Sequence, residues 1–288
     1  MSSALSVRRP ALGLGFSRRL ARLDRVVLAC GILLFLLAAL AVFGPWIAPQ
    51  APDHVDLAAV YAPRSPQHWL GTDASGRDLL SRLIVGARTS LLGPLIVTLV
   101  GTVVGSTLGI VSGWCGGWVD AFISRVLDIL FAFPGLLMAI VAVALFGAGL
   151  TAPIIALSIS SLPYMARVVR AATLRERALP YVDACVVQGL SGLAIARGHI
   201  LRNVTPIVLA QATTTFGYVM IDLAGISYLG LGVQAPRADW GSMAAEGQSS
   251  LLRGFPQESL YAGGAIALAV VVITVLGERL STVAGVTR

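Results

Sequence analysis

The stretch YVDACVVQGLSGLAIARGHILRNVTP, Tyr181–Pro206, interrupts a chain that is otherwise a succession of apolar runs. Val182, Cys185, Val186 and Gly189 recur at i, i+3, i+4 and i+7, the spacing of one face of a short helix. Gly189 suits the left-handed turn that ends such a helix. A second helix is expected from Leu193 to Asn203, with Pro206 opening the next apolar segment. Two short helices joined at a glycine must bury their apolar stripe either on their own bundle or in the groove of a partner.

The surrounding composition defines the setting of that hairpin. Of 288 residues, 56% are hydrophobic and only 12% charged, about half the charge of an ordinary soluble domain. That balance indicates a polytopic membrane protein, all-α because each spanning segment must satisfy its own backbone in lipid. All 21 basic residues are arginine. A P-loop holds nucleotide phosphates with lysine, so the chain is not itself a conventional ATPase. Schiff-base chemistry is excluded on the same ground. The arginines flank apolar runs, which speaks for membrane orientation rather than nucleic-acid binding. Cys30, Cys115 and Cys185 are far apart, and His54, His68 and His199 form no ligand spacing, so neither a disulfide nor a metal site is expected.

Outward from the hairpin, the chain divides into six expected spans. Residues 1–25 form a basic tail, and 26–47 form a first transmembrane helix too long for a signal-peptide core. The segment 48–88, polar and proline-rich at first, is expected to be extracytoplasmic, and Leu79, Leu80, Leu83 and Ile84 predict a short amphipathic helix on the membrane surface. The core runs over 89–283, with spans near 91–111, 122–146, 152–169, 207–229 and 260–276, before a tail at 284–288. Pro134 is expected to kink the third span, and Arg125 and Asp128 to pair within it. Six arginines from Arg167 to Arg202, four of them within the loop at 171–206, surround only Glu176 and Asp183, which places the loop and both termini in the cytoplasm.

Three features inside the spans stand out. Gly101, Gly105 and Gly109 repeat every four residues and predict close helix packing. Ser158, Ser161 and Tyr164 make the fourth span the least apolar, which suits either a helix lining a path or ordinary interhelical hydrogen bonding. Asp222 in the fifth span is a functional candidate, or else it marks the outer interface.

Asp183-Ala184-Cys185, Gly189, Ile195, Leu201 and Pro206 resemble the EAA loop of ABC importer permeases, with aspartate for the usual glutamate, cysteine for the second alanine and Arg202 where proline commonly precedes Asn203. GTDASGRDLLSRLIVGARTSL (Gly71–Leu91), GWCGGWVDAFISRVLDILFAFPGLLMAI (Gly113–Ile140) and SYLGLGVQAPRADWGSMAAEG (Ser227–Gly247) resemble the second, C-type permease subunit of dipeptide, oligopeptide and nickel importers. LGERLSTVAG (Leu276–Gly285) matches more weakly. The family often has an acid where this chain has Leu223, one residue after Asp222; one residue turns a helical side chain by about 100°. No family role is therefore carried over to Asp222.

This resemblance implies a subunit that forms half of a translocation pathway for peptides and works by alternating access. Its implied partners are a second homologous permease, two cytoplasmic ABC ATPases that bind ATP and magnesium, an extracytoplasmic substrate-binding protein and the lipid bilayer of a bacterial plasma membrane. The matched EAA residues would couple to an ATPase, and the chain itself would hold no catalytic residue, cofactor or nucleic acid. A nickel or metal-chelate importer of the same family is the alternative cargo. A secondary transporter is a more distant alternative, since it would more often show ionisable residues at midplane in both halves.

Overall fold

A computed structural model describes residues 25–283; the two terminal tails expected from the sequence lie outside the described residues, apart from Arg25. The described residues form ten α-helices, one short 3₁₀ turn at Leu57–Ala59 and one π-helical turn at Ala196–Ile200. Helix α1 is Arg25–Ile47, α2 is Leu79–Cys115, α3 is Gly117–Phe131 and α4 is Gly135–Phe146. Helix α5 is Thr151–Arg177, α6 is Pro180–Val187 and α7 is Gly192–Ile195. Helix α8 is Leu201–Tyr228, α9 is Trp240–Leu251 and α10 is Gln257–Val283. Five of these segments are long and apolar enough to cross a membrane, and six if α3 and α4 count as one broken span.

Helix α2 is 37 residues long, about 55 Å at 1.5 Å per residue. It absorbs both the expected surface helix and the expected second span. Leu79 is buried among core side chains, so the start of α2 packs into the bundle and does not lie on a membrane surface. Asp78 starts the helix by accepting a hydrogen bond from the Ser81 amide at 2.8 Å. The glycine stripe faces α5. A Cβ added to Gly105 would lie 2.8 Å from Met165 Cβ, and one on Gly109 would lie 2.6 Å from the Ala166 carbonyl oxygen. Gly113 extends the stripe by another turn, against Thr173. Glycine here allows the two backbones to approach closely, as its spacing predicts.

The third span is broken rather than kinked. α3 and α4 meet at 74° across Ala132–Pro134. Pro134 has no amide hydrogen and disfavours helical geometry at Phe133, so the hydrogen-bond ladder stops there. Asp128 pairs with Arg167 on α5 at 2.7 Å, not with Arg125, and Arg167 also lies 4.1 Å from the centroid of the Phe131 ring.

At the end where α2 begins, two distant segments interlock. Arg82 is fully buried, with its Nη2 2.9 Å from Glu246 on α9 and its Nε 3.6 Å from Asp73. Arg77 bonds the same two carboxylates, at 2.6 Å to Asp73 and 2.5 Å to Glu246. Burial works against the Arg77 charge, but the two carboxylates outweigh it and raise its pKa above the ordinary value. Carboxylate oxygens of Asp73, Glu246 and Glu258 lie within 4.8 Å of one another, a spacing that also suits a metal ion. The two guanidinium groups already supply positive charge there. Trp240, buried at the start of α9, donates to the Leu83 carbonyl at 2.9 Å, and Ser90 donates to Asp239 at 2.7 Å. Helix α9 itself is absent from the sequence-based expectation, which treats 234–258 as a polar connection.

Candidate functional sites: a surface hairpin and a polar cavity

The opposite end of the bundle carries the Tyr181–Pro206 segment. Pro180 occupies the first turn of α6, where its missing amide hydrogen costs nothing. Asp183 lies in that same first turn, where a carboxylate complements the helix dipole. The helix ends as its sequence predicts. Gly189 has φ +79°, its amide donates to the Val186 carbonyl at 2.9 Å, and the Leu190 amide donates to the Cys185 carbonyl at 3.1 Å. This pair of bonds is a Schellman termination, which glycine adopts without steric cost. Ser191 then caps α7 by accepting from the Ala194 amide at 3.3 Å.

From α7 the chain passes through a π-helical turn, Ala196–Ile200, directly into α8. Pro206 therefore sits inside a helix and does not open a new span. The second short helix and the fifth span are one rod, Gly192–Tyr228. The π turn accounts for the continuity: it realigns the rod without leaving unpaired backbone.

The predicted apolar stripe divides. Val182, Cys185 and Ile195 are buried against Trp114 of α2 and Tyr181, so Cys185 and Ile195 hold the hairpin to its own bundle rather than offering themselves outward. Asp183, Ala184, Gly189 and Leu201 are exposed, while Pro206 is half-buried. Val186 is also exposed, and Val187 and Leu193 project furthest, at 88% and 75% exposure. Those last two complete an outward apolar face that the stripe based on Val182 did not include. Gly192 lies beneath the Trp114 indole, where a Cβ would come within 2.9 Å of its nitrogen.

A polar clasp fixes the angle of α6. Tyr181 donates to Glu176 at 2.7 Å, and Asn203 donates to the same carboxylate oxygen at 2.8 Å. Burial, with the bond to Glu176, pushes the Tyr181 phenol up to about 12, so it remains a proton donor. Glu176 and Asn203 were missed as site residues. The signal for them was a lone acid and a lone amide bracketing the hairpin. His199 contributes only its ring, tilted 6.3 Å from that of Tyr181.

Within the bundle, α5 and α8 enclose a cavity of about 530 Å³ with the α3–α4 break at its wall. Ser161, Tyr164 and Asp222 all line it, as do Gln211, Thr215 and Tyr218. Ser158 is not among its lining residues; its hydroxyl donates to the Ile154 carbonyl at 2.7 Å in the same helix. Ser158 therefore neither lines this cavity nor bonds to a neighbouring helix; its hydroxyl is satisfied within α5. Ser161 also donates within its helix, to the Ser158 carbonyl at 2.9 Å. Gln211, Thr215, Tyr218 and Asp222 fall at i, i+4, i+7 and i+11, one polar face of α8. That period was legible in the sequence but masked by the apolar residues between. Asp222 lies within two turns of the end of α8 and lines this cavity.

A bundle of apolar rods with a surface hairpin at one end and a polar cavity inside is the architecture of a membrane permease. Residues 105–283 match the family described as binding-protein-dependent transport system inner membrane component. Residues 16–63 match the N-terminal transmembrane domain of oligopeptide transport permease C. The glutathione transport system permease protein GsiD of Salmonella paratyphi A is 39% identical over 92% of this chain and 87% of its own. The probable D,D-dipeptide transport system permease protein DdpC of Escherichia coli K12 is 34% identical over 77% of this chain and 74% of its own. Among solved structures, an inward-facing MetNI methionine ABC transporter chain aligns with TM-score 0.59 at 20% identity, covering 73% of this chain and 98% of that one, a likeness of fold. The chain belongs to the binding-protein-dependent permease family: it is a multi-pass transmembrane subunit of an ABC importer.

Proposed function

We propose that this subunit forms half of a peptide pathway in a bacterial plasma membrane and is moved by ATPases that grip the Tyr181–Pro206 hairpin. The observation that carries the reading is the outward apolar face of Val187 and Leu193, beside the exposed Asp183, on a hairpin clasped to its bundle. Apolar side chains so exposed beyond the spanning rods call for a protein groove. The arginines around the hairpin support a cytoplasmic side for it and for both chain ends. The cavity between α5 and α8 is then this subunit's share of the path, completed by a second permease. ATP and magnesium belong to the two ATPase subunits, whose closure swings the bundle between access states. A binding protein delivers cargo at the interlocked end. Peptide cargo is supported by the dipeptide and glutathione permeases among the relatives.

Co-purification of the whole complex tests the hairpin. ATPase subunits should be retained by the wild type and lost from Asp183→Arg combined with Val187→Asp. Equal retention would remove the hairpin from the coupling role. Uptake of a labelled tripeptide against a nickel chelate, in cells lacking and then regaining this gene, tests the cargo.

A further inference from the structure

Asp222 is an unmatched charge in a cavity whose other features suit a cation. Its carboxylate has no hydrogen-bond or ion-pair partner among the described residues, and no arginine or histidine lines the cavity. Arg167, which covers the Phe131 ring at the cavity wall, is already paired with Asp128. Aromatic rings of Phe131, Tyr164 and Tyr218 also face the cavity, the last at 69% exposure. A carboxylate within a spanning helix is costly unless something compensates it. A carboxylate among aromatic faces and hydroxyls is a recognised arrangement for an ammonium group, which gains from both the charge and the ring quadrupoles.

We propose that this cavity selects an organic ammonium group on the passing molecule, with Asp222 as its counter-charge. For a peptide, the group is the α-ammonium at its N-terminus. The proposal rests on the reading of the cavity as part of the path, and it assigns the cavity a charge preference of its own, separate from that of any delivering protein. It belongs to this chain's register: the carboxylate reaches the cavity from position 222, whereas position 223 points into the apolar core as Leu223.

The test reads the charge preference of the cavity without knowledge of the cargo. Tyr218→Cys places a thiol one turn from Asp222 in the complete transporter, with Cys115 replaced by serine to remove the exposed native thiol. Membranes are treated during ATP turnover with 2-aminoethyl or 2-sulfonatoethyl methanethiosulfonate, each rate normalised to a free thiol in solution. The cationic reagent should react about tenfold faster or more, as a focused negative field requires. Asp222→Asn should collapse the ratio towards one, and Asp222→Glu should restore it. A ratio unaffected by Asp222→Asn overturns the proposal and leaves the cavity reading standing. If neither reagent reacts although the complex hydrolyses ATP, water does not reach the cavity, and both fall.

Discussion

The two ends of this bundle are built on opposite terms. At one end, Asp73, Arg77, Arg82, Glu246 and Glu258 form a buried ionic knot, and Trp240 is locked to α2. At the other, the hairpin is attached by one small apolar cluster and one polar clasp, with Val187 and Leu193 left outside. The knot joins segments more than 160 positions apart, as in the Arg82–Glu246 bond. The clasp joins neighbours within the hairpin region. One end holds long-range topology in place, and the polar clasp at the other is made of short-range contacts alone, as the proposed coupling role requires.

That contrast can be broken by substitution. Arg82→Ala should do the most harm, removing one of the two guanidinium groups that hold Asp73 and Glu246 and leaving Arg77 alone against them, at a cost of about 3–5 kcal/mol. The check is thermal unfolding in detergent and the yield of folded complex. Gly109→Val forces a side chain against the Ala166 carbonyl and should cost about 2–3 kcal/mol, with the midpoint of unfolding as readout. Gly189→Val should cost about 1–2 kcal/mol, because φ +79° is unfavourable for a β-branched residue; hydrogen exchange at α6 should rise while the ionic end stays protected. Tyr181→Phe removes one bond to Glu176 and should cost about 1 kcal/mol. Val187→Asp should change stability by no more than about 0.5 kcal/mol, yet abolish transport-coupled ATP hydrolysis. If Val187→Asp instead lowered the unfolding midpoint as much as Arg82→Ala, the separation of the two ends would be lost.

Much of this was legible because lipid imposes coarse rules. Span number, the glycine stripe and the termination at Gly189 follow from period and from local geometry. The merged rods were not legible. Leu79–Ile84 reads as amphipathic because Arg82 on its polar face is satisfied in part by Glu246, which no local window contains. Pro206 reads as a start signal, yet a proline is tolerated within α8 after the π turn has realigned the helix. The cavity was half legible. Ser161, Tyr164 and Asp222 converge there, but only tertiary packing turned Ser158 away and brought in Gln211, Thr215 and Tyr218.

The glycine stripe between α2 and α5 has a mechanical consequence. Glycine set directly on the β-carbons and backbone of α5 leaves little side-chain cushion to compress, and close-packed interiors yield little under load. The two helices therefore form a stiff beam. Trp114, near one tip, bears on Gly192 of the hairpin, and Arg82, near the other, sits in the ionic knot. Close packing along this stripe favours movement of the two helices as a unit, and Pro94 within α2 is the point where such a beam can give.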